Sequence, residues 1–167
     1  KRRRVKITVN GNVVAPWNPF APEENATQHL QSLELNVTGA GHSGVVFYDP
    51  YILPPKDKFS SEEEFKRLSG PNSWNQQQGF YIYRANRMIQ SGGWSRTRAP
   101  DEHTKLARVA IDFFPELDDA FGINISKVGV QLPQSLREQL KQPIETLIKE
   151  AKRAYNPRTP VKGRAKK

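Results

Sequence analysis

The chain has 167 residues, of which 36% are hydrophobic, and a formal net charge of +9. This length and apolar content favour one domain with a packed core over a disordered chain. No apolar run approaches the ~20 residues that cross a bilayer, and no secretory segment opens the sequence. The count of 0 Cys excludes disulfides and thiolate metal sites and is compatible with a cytoplasmic location.

The positive charge is concentrated at the two ends. Residues 1–6 and 156–167 each contain five basic residues and no acidic residue, whereas the remainder contains 16 basic and 17 acidic residues. We expect residues 1–4 to be a basic tail or a linker from an upstream domain, 5–155 to form the folded domain, and 156–167 to be a disordered basic tail. Such tails either bind phosphate backbones without sequence preference or are solvated linkers, and the sequence leaves both open.

The first two thirds of the chain have the features of strands and tight turns. Asn10-Gly11 and Ala85-Asn86 favour hairpin turns between alternating or strand-forming segments. Ser61 before three glutamates is typical of a helix start. The elements predicted in chain order are strands at 5–9, 33–37 and 45–48, a helix from about 62 to 68, a hairpin at 80–89 and a strand at 106–114.

From Pro133 the apolar period changes to about 3.6 residues, which predicts a long amphipathic helix. The residues on its apolar face are Leu136, Leu140, Ile144, Leu147, Ile148 and Ala151. Pro143 lacks the amide that a helix interior needs, so we expect either a kink or two helices. Strands followed by a long C-terminal helix predict an α+β fold, with a mixed β-sheet and helices packed on one face.

Residues 111–136 resemble the part of GHKL-superfamily ATPases in which the transducer, or middle, domain sends a loop back to the nucleotide. In the heat-shock chaperones of that superfamily the loop reads close to Leu-Asn-Ile-Ser-Arg, and residues 123–127 read Ile-Asn-Ile-Ser-Lys. Residues 5–20 resemble the opening of the same domain, with Trp17-Asn18 in place of its usual acidic step. Residues 79–94 are similar to the QGFYvYRn segment of bacterial members. The pieces follow the family's order.

This resemblance implies a two-layer transducer fold and a role for Lys127. The lysine would contact the γ-phosphate of ATP, held with Mg²⁺ in an upstream nucleotide-binding domain, and so couple ATP hydrolysis to conformational change or to closure of a homodimer. Asn124 and Ser126 would shape the loop, because both side chains bond to nearby backbone amides. The resemblance further implies that the full-length protein handles DNA or acts in phage defence.

The nucleotide-binding elements themselves are missing from the sequence. It contains neither an Asp-x-Gly-x-Gly element nor a Gly-x-x-x-x-Gly-Lys-[Ser/Thr] phosphate loop. We therefore expect no catalysis and no bound ATP in this chain by itself. The chain opens on Lys1 and its only methionine is Met88, which favours a piece of a longer protein.

The alternative interpretation is a stand-alone basic nucleic-acid-binding domain. Residues 81–108 are rich in arginine, and four side chains are candidate phosphate contacts: Arg84, Arg87, Arg96 and Arg98. The interleaved aromatic residues Tyr81, Tyr83 and Trp94 favour core packing over base stacking.

Two patterns typical of metal enzymes are weak. Asp57, Glu64 and Lys66 can be aligned with a metal-dependent nuclease pattern, but Glu64 and Lys66 fall on a predicted helix instead of a strand. The three histidines have no spacing that brings two of them onto one face, so we expect no metal site.

Overall fold

The computed structural model describes residues 6–123 and 130–156. The strands are β1 (Thr8–Val9), β2 (Asn12–Val13), β3 (Gln28–His29), β4 (Leu33–Gly39), β5 (His42–Ile52), β6 (Gly79–Arg84), β7 (Arg87–Ser91) and β8 (Ala107–Phe113). The α-helices are α1 (Glu62–Leu68), α2 (Ser73–Gln76) and α3 (Gln134–Tyr155). Short 3₁₀ turns cover Lys56–Lys58, Glu102–Thr104 and Pro115–Leu117.

Six of these strands form one mixed sheet in the order β3-β5-β8-β6-β7, with β4 also paired to β5. The β6–β8 pair is parallel and the other pairs are antiparallel. β3 and β4 lie along the same edge of β5, because β8 occupies the other edge. The strands β1 and β2 form a separate hairpin.

The pairing register assigns the strand side chains to two faces, since side chains alternate along a strand. On the helix face, which α3 covers, lie Val46, Tyr48, Ile52, Phe80, Ile82, Val109, Ile111 and Phe113. On the second face lie Phe47, Asp49, Tyr51, Tyr81, Tyr83, Arg108, Ala110 and Asp112. The short helices α1 and α2 contact Arg108 of the second face. The helix face is almost entirely apolar, whereas the second face carries charged groups.

The C-terminal helix α3 is one continuous helix of 22 residues with Pro143 inside it, so the alternative of two helices is wrong. Leu136, Leu140, Leu147 and Ala151 are buried against the sheet. Each fully buried Leu contributes about 1.5–3 kcal/mol, and together they outweigh the ~3 kcal/mol cost of an interior proline.

The α+β prediction is confirmed, as are the mixed sheet and the long C-terminal helix. Ser61 caps α1, where its hydroxyl accepts the Glu64 N–H at 3.1 Å. Asn10, Ala85 and Asn86 adopt positive φ in the two predicted hairpin turns.

The second long strand, β5, extends beyond its predicted 45–48 range and contains Pro50. A proline cannot donate to a sheet ladder and is rare in interior strands. Pro50 accepts the Leu30 N–H through its carbonyl oxygen, on the edge that β3 and β4 share. The Pro50 nitrogen, which has no hydrogen to donate, faces the gap between β3 and β4. This position explains why β5 continues through the proline.

Candidate functional site

The predicted phosphate-sensing residues Lys127, Asn124 and Ser126 lie outside the described residues, but the segments on both sides are described. The Gln131 N–H donates to the Phe121 carbonyl at 3.2 Å and so joins the two flanks. Phe121 is buried and stacks on Phe113, with ring centroids 3.9 Å apart and planes 1° from parallel. The residues before and after 124–129 are therefore joined to each other beside Phe113, the last residue of β8. α3 begins shortly after them.

Arg84, a candidate phosphate contact, forms a bidentate ion pair with Asp118. The Nε–Oδ1 and Nη2–Oδ2 distances are both 2.6 Å. The hydrogen bonds from Arg84 lower the pKa of the Asp118 carboxyl, which keeps the pair ionised at neutral pH. The Asp118 carbonyl also accepts the Ile123 N–H at 3.0 Å. Arg84 thus stabilises the turn that leads toward Lys127.

The other three candidate arginines lie in two places. Arg87 is exposed and pairs in register with Arg84 at the tip of the β6–β7 hairpin. Arg96 and Arg98 follow the opposite end of β7, which at ~3.3 Å per residue is ~13 Å away. Arg96 is exposed, with φ of 62°, and Arg98 is half-buried. The structure therefore brings Arg84 and Arg87 together and separates them from Arg96 and Arg98, whose role stays a prediction.

A cleft of about 510 Å³ lies between α3 and the loop that contains Thr97 and Arg98. We call it the basic cleft, because its lining includes five cationic residues: Arg98, Arg137, Lys141, Lys149 and Lys152. Ile144 and Ile148 contribute apolar surface, and Glu145 is the one acidic residue among the described residues of the lining. The sequence analysis found Arg98 but missed the four cations of α3, which the helical periodicity of residues 134–155 places on adjacent turns.

Three of the five cations of the basic cleft have no acidic partner among residues 6–123 and 130–156. Within the described part of the chain, Arg137, Lys141 and Lys149 have no carboxylate within 4 Å, whereas Lys152 lies 3.7 Å from the Asp101 carboxylate. The Arg98 guanidinium lies 5.2 Å from the centroid of the Trp94 ring, and its Nε has no hydrogen-bond partner among the described atoms. Burial lowers the pKa of Arg98 from its high usual value.

The loop beside the basic cleft is held by the buried side chain of Gln78. Its Oε1 accepts from Trp94 Nε1 at 3.1 Å and from the Thr104 hydroxyl at 2.8 Å. Its Nε2 donates to the Asp101 carbonyl at 3.1 Å. One amide therefore fixes the position of Trp94, which supports Arg98, relative to the start of β6.

Arg108 also belongs to the arginine-rich segment 81–108, but the sequence did not show that it is buried. It is fully buried on the second face, where it donates to the carbonyl oxygens of Pro19 (2.8 Å) and Leu68 (2.6 Å). Its guanidinium carbon lies 5.0–5.9 Å from the centroids of three aromatic rings: Trp17, Trp74 and Tyr81. We call this group the arginine cage. Burial lowers the pKa of Arg108 to about 10, so the side chain remains charged at neutral pH.

The aromatic residues of the same segment serve the fold, as the sequence favoured. Tyr81 and Trp94 are buried, and Tyr83 is half-buried. Burial raises the pKa of the Tyr81 hydroxyl to about 12. No flat aromatic surface is therefore free at Tyr81 or Trp94 for base stacking.

Within residues 6–123 and 130–156, no three His, Asp or Glu side chains are grouped as metal ligands would be. No helix in these ranges has the length and apolar character needed to cross a membrane. Comparisons with protein-family models, with curated proteins and with solved structures gave no match. The resemblance to GHKL transducer domains therefore rests on the sequence motifs alone.

Proposed function

We propose that this chain is the transducer domain of a GHKL-type ATPase that handles DNA or acts in phage defence. In this proposal Lys127 contacts the γ-phosphate of ATP bound, with Mg²⁺, in the upstream nucleotide-binding domain. The order of the sequence motifs carries the proposal, and the hydrogen bond from the Gln131 N–H to the Phe121 carbonyl, which joins the two flanks of residues 124–129, supports it. A residue that reports on a phosphate must be attached to a rigid support, because a small misplacement of a catalytic group has a large effect on rate.

The chemistry of phosphoryl transfer explains why a lysine suits this position. Negative charge is spread over the γ-phosphate oxygens in the transition state, and enzymes stabilise it mainly by placing cations and hydrogen-bond donors. A cation that belongs to a second domain reaches the phosphate only when the two domains dock. Hydrolysis thereby becomes dependent on domain arrangement.

The contacts that follow residues 124–129 supply a mechanical connection to the rest of the domain. α3 begins shortly after them, and the Ser135 hydroxyl donates to the Thr38 carbonyl of β4 at 2.7 Å. Gln139 Nε2 donates to the Asn36 carbonyl of the same strand at 2.9 Å. A displacement at Lys127 would therefore act on the start of a 22-residue helix that is fastened to the sheet.

The test is Lys127→Ala in the full-length protein with its upstream domain present. We expect a loss of turnover on the order of a thousandfold, by analogy with the removal of an arginine finger, while ATP affinity is largely retained. Steady-state hydrolysis and equilibrium binding of a fluorescent ATP analogue measure the two quantities. Lys127→Arg, which keeps the charge, should retain part of the activity.

Lys58→Ala is the matched control, because Lys58 is an exposed lysine with no ion-pair partner among the described residues. It should hydrolyse ATP at the normal rate. Unchanged turnover in Lys127→Ala contradicts the proposal. A loss of ATP affinity with turnover at saturating ATP unchanged also contradicts it, since the lysine would then bind the ground state and the transition state equally.

A further inference from the structure

We propose that the basic cleft binds the phosphate backbone of a nucleic acid. The proposal concerns α3 and the loop at Arg98, and it does not depend on the assignment of Lys127 to an ATP site. It also differs from the contact surface that the sequence suggested. Arg84 forms an ion pair with Asp118, and four of the five cations of the basic cleft belong to α3.

The spacing of the cations along α3 matches a polymer with regularly repeated charge. Arg137, Lys141 and Lys149 lie four and eight residues apart on one side of the helix, so the row spans ~18 Å at ~1.5 Å per residue. One strand of B-DNA carries a phosphate about every 3.4 Å along its axis. The row can therefore contact several successive phosphates, whereas a single small anion would engage only part of it.

Arg98 supplies a cation from the opposite wall of the basic cleft. Its half-buried guanidinium lies 5.2 Å from the centroid of the Trp94 ring, which supports it. Planar guanidinium groups bind phosphate oxygens through directed, often paired, hydrogen bonds. Because Trp94 is in turn fixed by Gln78, Arg98 is presented with little freedom, which reduces the entropy lost on binding.

The charge balance favours a polyanion over a mixed-charge surface. Five cations line the basic cleft, against Glu145 in its lining and Asp101 beside Lys152. Ile144 and Ile148 lie between the cations and suit the sugar portions of a nucleic-acid strand. Contacts to phosphates carry no sequence information, so we expect binding with little sequence preference. Trp94 is buried and offers no surface on which bases could stack.

The test measures fluorescence anisotropy of dye-labelled single-stranded and duplex DNA of about 20 nucleotides against the full chain, at several salt concentrations. The decisive variant is Lys141→Glu with Lys149→Glu. We expect at least about a tenfold loss of affinity at low salt, and a salt dependence of log K reduced by about 1.8 for duplex or about 1.4 for a single strand. The probe with the larger loss identifies the form of nucleic acid bound.

Two variants with the same charge change serve as controls. Lys58→Glu with Lys66→Glu alters exposed lysines that are not among the residues lining the basic cleft. Arg87→Glu with Arg96→Glu alters the two exposed arginines that the sequence suggested. Neither should reproduce the loss. Because all variants keep the same basic ends, the comparison removes their contribution, and thermal unfolding of each variant verifies that the fold is retained.

Three results would overturn the proposal. Equal losses in all three double variants would mean that binding follows net charge and not the basic cleft. A loss only in the Arg87 and Arg96 variant would move the site to those arginines. The third result comes from competition experiments on the wild type. If a polyglutamate peptide displaces the labelled DNA at a lower concentration than unlabelled DNA does, an acidic protein surface is the better ligand.

Discussion

The arginine cage and the basic cleft both place a guanidinium against a tryptophan ring, yet the two regions serve different purposes. In the arginine cage, Arg108 is enclosed and both of its Nη groups donate to backbone carbonyls from distant parts of the chain. In the basic cleft, Arg98 is only half-buried and faces further cations of α3. The Nε of each arginine is buried without a partner among the described atoms, so the difference lies in the Nη groups and in the surrounding charge. Bonded Nη groups in a closed environment stabilise a fold, whereas an excess of like charge at an open cleft favours an external anion.

The arginine cage also shows how a buried charge is tolerated with no carboxylate partner in the described part of the chain. Moving an ion out of water is costly, and a buried ion ordinarily needs a partner of opposite charge. Three aromatic faces and two carbonyl oxygens surround Arg108 instead. A desolvated cation over an aromatic ring gains about 2 kcal/mol, so these contacts offset part of the cost.

The largest effect is expected for Arg108→Ala, which we predict to lower the free energy of unfolding by about 2–4 kcal/mol. The substitution leaves the Pro19 and Leu68 carbonyls without their donors and opens a cavity between aromatic rings. Urea denaturation measures the change. A matched Arg108→Met variant keeps most of the volume. If Arg108→Met is more stable than the wild type, the charge is a net cost and the arginine cage does not stabilise the fold.

A somewhat smaller loss, about 2–3 kcal/mol, is expected for Gln78→Leu, because Trp94 Nε1 and the Thr104 hydroxyl lose a buried acceptor. Gln76→Leu is the control, since Gln76 is exposed two residues away and should change stability by no more than about 0.5 kcal/mol. Chemical denaturation of both variants compares them. Equal effects would contradict the view that Gln78 holds the loop of the basic cleft.

For Arg98→Ala we predict a stability loss of no more than about 1 kcal/mol, the size of one partly exposed contact between a cation and an aromatic ring. The same variant should weaken DNA binding, so it separates the two regions: Arg108 affects the fold and Arg98 affects the ligand. Arg96→Ala, an exposed neighbour, controls for charge in the loop. A stability loss in Arg98→Ala as large as that in Arg108→Ala would remove the distinction.

Sequence reasoning reached the elements whose signals are local. The Asn10-Gly11 turn, the Ser61 cap and the amphipathic face of α3 each depend on residues a few positions apart, and all three occur in the structure. The sequence left open whether Pro143 interrupts the helix, because the packing on the sheet that stabilises a continuous helix is not contained in the local pattern.

The same limit explains which site residues were missed. Arg108 is joined to Pro19 across 89 residues and to Leu68 across 40, so only the folded chain distinguishes it from the exposed arginines nearby. The basic cleft likewise combines Arg98 with cations more than 35 residues later. Lys127 came from the resemblance to GHKL proteins and lies outside the described residues, so it stays a prediction.

The smallest effect concerns Arg84, which is intermediate between the two regions because it is partly exposed but firmly paired with Asp118. The hydrogen bonds from Arg84 lower the pKa of Asp118 in the folded state. The carboxylate therefore stabilises the fold above the pKa of an unfolded Asp, about 3.9, and this contribution is lost as the pH falls through the lower folded pKa.

We accordingly expect Asp118→Asn to be slightly less stable than the wild type at neutral pH. The difference should be constant down to about pH 5 and should shrink below about pH 4, as Asp118 becomes protonated. Urea denaturation across this range measures it, with Asp57→Asn as an exposed control. A difference that persists unchanged in acid would mean that the carboxylate's charge does not matter. Asp118 would then act through the shape of the turn before Lys127, and the ion pair would be incidental to it.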